Sequence, residues 1–187
     1  MLWAYGKKLS SILSVLWTLY SYKRCEEPKL SAANNLVGTA GEYYVCAELC
    51  RRGYLALLTP KNNPIFDVVV TNADGSKSVS VQVKTRSERN KQGWKLGKDI
   101  TTDAAKPEIF VALVNLVEDG PLEVYVYEYA VLSARISQLY AQYLAKPKRD
   151  GSARKDVGFR WFDEVNFVED DHLRKNNWQP IIHALAS

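Results

Sequence analysis

One stretch constrains the fold more than any other. From Phe66 to Arg86 the chain reads FDVVVTNADGSKSVSVQVKTR, two valine-rich runs parted by a polar segment that contains Asp74 and Gly75. Aspartate followed by glycine between β-branched runs predicts a hairpin, with strands over 65–71 and 79–85 and a connection longer than the two-residue ideal. Side chains alternate along a strand, so Val79, Val81 and Val83 point one way and Ser80, Gln82 and Lys84 the other. A chain holding such a hairpin must build a sheet around it.

The flanking sequence supplies the rest of that sheet. Ser31, Asn34 and Asn35 are candidate N-caps, and Leu36, Ala40, Tyr43, Tyr44 and Ala47 recur at helical spacing as far as Arg52. Gly53 then ends the helix. This helix carries Glu42 and Glu48, and Glu48 reads as solvated. YLALLTP is a short strand closed by Pro60. After a basic, glycine-containing loop, EIFVALVNL reads as a buried strand and LEVYVYEY as its neighbour beyond the turn EDGP. The sheet therefore has about five strands. Residues 131–145 are helical in pattern, with Leu132, Ile136, Leu139, Tyr140 and Tyr143 on one face. KPKRDGSARKD is a polar basic loop that reads as a flexible arm, FRWFD a last short strand, and 170–176 a helical turn before NNWQPII. Trp161, Trp178 and the tyrosines of 122–129 are assigned to core packing.

Composition narrows the class. The 187 residues suit a segment over 1–30 followed by one domain over 31–187, and 47% apolar with 25% charged residues excludes disorder and low complexity. The formal charge is only +4, but the basic residues bunch between Lys84 and Lys98 and between Lys146 and Arg160. Cys25, Cys46 and Cys50 are an odd set without zinc-like pairing, which points to free thiols in a reducing cytoplasm. At the N-terminus, Lys7 and Lys8 leave an apolar run of about a dozen residues where a membrane span needs about twenty. No good signal-peptide cleavage site follows. Ser10, Ser14, Thr18 and Ser21 share one helical face, and Leu9, Ile12, Leu13, Leu16, Trp17 and Tyr20 cover the rest. Such an amphipathic segment packs on the domain or on a second copy, or lies on a membrane surface.

Gln82 and Lys84 share a face, and a cooperating hairpin register brings Asp67 beside them. Two readings fit this set. One is a solvated cross-strand pair. The other is metal-assisted phosphodiester hydrolysis, in which oxygen donors hold a hard divalent cation and a lysine orients water and opposes transition-state charge. GTAGEYYVCAELCRRGY, FDVVV and VQVKT together resemble the PD-(D/E)XK nuclease superfamily. The later pieces FVALVNL, EVYVY, KPKRDGSARKD, FRWF and NNWQPII are similar to a group of small prokaryotic members of it. The resemblance spans about Leu36 to Ile182. It implies an α/β, restriction-endonuclease-like core: a central mixed five-stranded sheet flanked by helices.

It also implies roles. Glu42, Asp67 and Gln82 fall on the metal-binding positions and Lys84 on the catalytic lysine. The chain departs from the pattern at Gln82, a neutral amide in place of a carboxylate, and at Pro64, three residues before Asp67. The implied cofactor is magnesium (Mg2+) or manganese (Mn2+), the implied substrate is DNA, and a homodimer would cut both strands. Arg86, Arg89, Lys91, Lys95 and Lys98, with Trp94 among them, either form a solvated loop or line a groove for phosphates beside the site. A domain of this fold that binds nucleic acid without cleaving it is the rival that Gln82 keeps open.

Overall fold

The computed structural model of the chain describes residues 34–60, 63–102, 108–117 and 120–186. The expectations for Ser31, Cys25 and the segment over 1–30 lie outside them. The first helix, α1 (Asn34–Arg51), leads into β1 (Leu55–Leu58), β2 (Val68–Thr71) and β3 (Ser78–Ser87). β4 (Trp94–Gly97) and a 3-10 turn (Lys98–Thr101) precede β5 (Ile109–Leu116) and β6 (Glu123–Glu128). Then come α2 (Tyr129–Ala145), β7 (Phe159–Phe162), a 3-10 turn (Glu164–Asn166), the short α3 (Glu169–His172) and α4 (Gln179–Ala186).

The main sheet runs in the order β1-β2-β3-β5-β6. All neighbours are antiparallel except β3 and β5, which run parallel, so the sheet is mixed as expected. Val68 faces Val81 across the hairpin, and Lys84 faces Leu113 across the parallel pair. β4 and β7 form a separate antiparallel pair.

One face of the sheet is covered by α1 and α4. Val45, Leu49, Ile181 and Leu185 pack there on Val68, Val70, Val79, Val81 and Val83 and on Phe110, Ala112 and Val114. On the opposite face α2, β4 and β7 bury Val111, Leu113, Tyr125 and Tyr127 under Leu132, Ile136, Trp94, Leu96 and Phe162. β5 and β6 are therefore covered on both sides, which is why IFVALV is a continuous apolar run. β3 alternates buried valines with half-buried Ser80, Gln82 and Lys84, because the second layer does not close over its polar face there.

Two local features fix α1. Its C-terminus closes with Gly53 at φ +90°, with Tyr54 N–H donating to the Leu49 carbonyl and Gly53 N–H to that of Cys50. At Gly41 the helix lies directly on β3: a Cβ there would sit 2.0 Å from Thr85 Oγ1. No side chain larger than hydrogen fits that approach without a shift. Glu48, expected to be solvated, is instead paired within the helix: its carboxylate accepts from Arg51 at 3.2 Å and from Arg52. The Arg51 hydrogen bond, helped by Arg52 and opposed by burial, holds its carboxyl below the usual range.

The structure corrects several expectations. WKLG, expected as loop, is β4, whose alternation buries Trp94 and Leu96 and exposes Lys95. NNWQPII contains the start of α4, with Pro180 in the first turn, where a missing N–H costs no helical bond. The basic loop after α2 is not a loose arm. It turns back through Lys148 and Ser152 and is tied to α2 by Arg154 Nε donating to the Lys146 carbonyl and Val157 N–H donating to Tyr140 Oη. Trp178 and the tyrosines 125, 127 and 129 are core as expected, whereas Trp161 is 37% exposed. Among the described residues no helix is long and apolar enough to cross a membrane.

Candidate active site

The hairpin opens where Asp67 meets β3. Asp67 N–H donates to the Val81 carbonyl at 3.0 Å, and its Oδ2 accepts from Val83 N–H at 2.7 Å. From the other side Thr59 N–H donates to the Asp67 carbonyl at 2.9 Å, and Thr59 Oγ1 lies 3.1 and 3.2 Å from the carbonyls of Phe66 and Asp67. The backbone of Asp67 is thus held by both neighbouring strands. Its carboxylate is anchored at the peptide between Gln82 and Val83, with Lys84 one residue beyond.

Gln82 is turned toward the same opening. Its Nε2 donates to the Ile65 carbonyl at 3.4 Å, which directs the amide oxygen the other way as an acceptor. Lys84 is half-buried on the same face as Gln82, and among the described residues no carboxylate pairs with its ammonium. Asp67, Gln82 and Lys84 are therefore brought together. Glu42 is not on their side of the sheet: it sits on α1, in the layer over the valine face, one residue after Gly41 and so at the level of Thr85. Thr59 is a supporting residue that the sequence does not announce; its only signal is its place at the end of β1.

The donor set suits a hard cation in type. Magnesium binds through one or two carboxylates and keeps several waters, so Asp67 with the Gln82 amide oxygen is a compatible but sparse set. Among the described residues no group of three His, Cys, Asp or Glu side chains could hold a metal.

The basic residues downstream diverge. Arg86 is buried, with its guanidinium 4.1 Å from the Trp94 ring centroid and paired to Glu164 at 2.8 Å and Asp163 at 3.4 Å. Its charge is engaged inside the protein by two carboxylates and a ring, at the wall of a small cavity it shares with Asn90 and Lys91. Trp94 is likewise interior, its Nε1–H donating to the Val114 carbonyl at 2.8 Å. Lys91 Nζ reaches back to the Glu88 carbonyl at 3.1 Å, and Lys98 pairs with Asp156 at 2.7 Å. Arg89, Lys91, Lys95 and Lys98 are exposed. Of the thiols, Cys46 is partly buried and pushed up to about 11, first by burial and then by Cys50 and Glu42, so it is protonated at neutral pH.

No protein-family model matches the sequence, and no curated protein does. Among solved structures the chain is similar to a bacterial homing endonuclease, at 15% identity, 82% coverage of this chain, 94% of that one and a TM-score of 0.48. It is also similar to the Holliday junction resolvase Hjc of the archaeal hyperthermophile Archaeoglobus fulgidus, at 16% identity, 70% and 86% coverage and a TM-score of 0.38.

Proposed function

We propose that the chain is a divalent-metal-dependent nuclease that hydrolyses DNA phosphodiester bonds at the mouth of the β2–β3 hairpin. The observation that carries this reading is the bond from Val83 N–H to Asp67 Oδ2, which fixes a carboxylate beside Gln82 and Lys84, whose ammonium meets no carboxylate among the described residues. Asp67 and the Gln82 amide oxygen would hold magnesium or manganese, and water would fill the remaining positions. A cation bound there polarises the phosphate and lowers the charge that the attacking oxygen must overcome. Lys84 orients the attacking water by donating to it and opposes the negative charge that develops on the phosphoryl oxygens. Thr59 and the two flanking strands keep the Asp67 carboxylate from moving as that charge appears. Arg89, Lys91, Lys95 and Lys98 supply sequence-independent phosphate contacts, each reducing affinity as salt rises.

The test is cleavage of plasmid, linear and branched DNA with magnesium or manganese. Asp67→Ala and Lys84→Ala should each lower the rate by at least about 100-fold. Activity surviving both substitutions would place the chemistry elsewhere. A second reading is favoured by the neutral Gln82 and the sparse donor set: a domain of this fold that binds nucleic acid without cutting it. It predicts retained binding with no cleavage of any substrate. Under the nuclease reading, Gln82→Glu adds a charged donor and lowers the magnesium concentration needed for half-maximal rate.

A further inference from the structure

Away from the Asp67 site, the outer face of the β4–β7 pair combines exposed aromatic rings with cations. Alternation turns Trp94, Leu96, Arg160 and Phe162 inward, which leaves Lys95 directly opposite Trp161 on the outside. Lys95 Nζ lies 4.6 Å from the centroid of the Phe159 ring, and Phe159 meets Trp161 edge-to-face at 5.9 Å. This face continues into a groove of about 550 Å³ against α2, floored by Ile136 and Leu139 and walled by the stacked rings of Tyr140 and Tyr143. Arg160 and Arg154 sit over those two rings, at 3.6 and 4.4 Å from their centroids. Tyr143 is 45% exposed.

The charge around this groove is one-sided. Lys146 to Arg160 holds six cationic residues against two aspartates, the equivalent of the whole chain's formal +4. Asp156 is engaged by Lys98 and Arg160, while among the described residues no carboxylate pairs with Lys146, Lys148, Arg149 or Lys155. An acidic peptide would use these cations but not the ring faces. A duplex would offer phosphates, but its bases are already stacked on one another. Unpaired DNA offers both a phosphate backbone and free base faces, the combination that aromatic platforms in basic grooves accept.

We propose that this groove takes an unpaired stretch of DNA, with a base stacked on Trp161 and its phosphates on Lys95, Lys146 and the strap that follows. The inference deepens the nuclease reading and rests on it for DNA as the substrate: the enzyme engages DNA that carries a single-stranded segment. Fluorescence anisotropy of a labelled oligothymidylate, without divalent metal, tests it on the full chain. Trp161→Ala should weaken binding about tenfold or more. Blunt-duplex binding should be unchanged in that variant, and Trp161→Phe should keep the affinity while losing the Trp161 quenching that binding produces. Wild-type affinity in Trp161→Ala, or an equal loss on duplex and oligothymidylate, would overturn the proposal. The two readings fail separately. If wild type binds oligothymidylate through Trp161 but cleaves nothing, the nuclease falls and the groove stands; if it cleaves DNA and Trp161→Ala binds normally, the groove falls and the nuclease stands.

Discussion

Lys84 and Arg86 are two residues apart on the same face of the same strand, carry the same charge, and meet opposite fates. Over Arg86 lie Trp94 and the turn that bears Asp163 and Glu164, so the guanidinium is stacked, paired and buried. Lys84 is only half-buried, and among the described residues no ring or carboxylate engages its ammonium. The difference lies in what covers the strand. β4 and β7 close the polar face of the sheet over β5 and β6 and stop short of the hairpin, dividing a single row of polar side chains into an interior half and an open half. The candidate chemistry sits in the open half.

The largest expected effect separates the halves directly. Arg86→Ala removes the partner of two carboxylates and the cation over Trp94, and should cost about 3 kcal/mol in urea unfolding. Lys84→Ala should change stability by no more than about 0.5 kcal/mol while abolishing cleavage. Equal losses of stability would mean that both cations are structural and would break the comparison.

A smaller effect tests what supports the open half from beneath. Gly41→Ala forces a methyl group into Thr85 Oγ1 and should cost about 2 kcal/mol, because a packed helix and strand cannot part without losing contacts elsewhere. The Thr85 hydroxyl is buried with no hydrogen-bond partner, so Gly41→Ala with Thr85→Ala should recover part of that loss. Strict additivity in the double-mutant cycle would show that the helix does not bear on β3 at this point.

The open half was legible from the sequence because it is local. Alternation along Val79–Lys84 and one turn signal place Gln82 beside Lys84, and the register needs only the hairpin to bring Asp67 to Val83. The covered half depends on contacts across 77 residues of chain, such as Arg86 to Asp163, and on a four-residue strand whose WKLG carries almost no periodic signal. So Arg86 and Trp94 looked like members of a basic loop, and their burial became visible only once β4 paired with β7. Glu42 shows the same limit: helical spacing puts it on α1, but which sheet face α1 covers is decided by the valines of β2 and β3.

The smallest effect reads the covered half through its tyrosines. Tyr127 Oη donates to Asp171 Oδ1 at 3.0 Å, and burial, then the Asp171 charge, pushes its ionisation well above the ordinary range. Tyr125 is raised in the same way by burial and then by Glu164. In the unfolded chain both ionise near about pH 10. Folded pKa values that are raised give stability that is complete below that pH and declines as pH climbs through it, since the unfolded chain releases protons the folded one retains. Each group contributes a slope of at most about 1.4 kcal/mol per pH unit. Tyr127→Phe should therefore lower stability at pH 7 by about 1 kcal/mol, through the lost hydrogen bond to Asp171, yet flatten the decline measured by urea unfolding between about pH 10 and 11.5. Lys84→Ala should leave that decline as it is. A slope unchanged by Tyr127→Phe would mean that its hydroxyl reaches water, and that β4, β7 and α2 do not seal this half of the face.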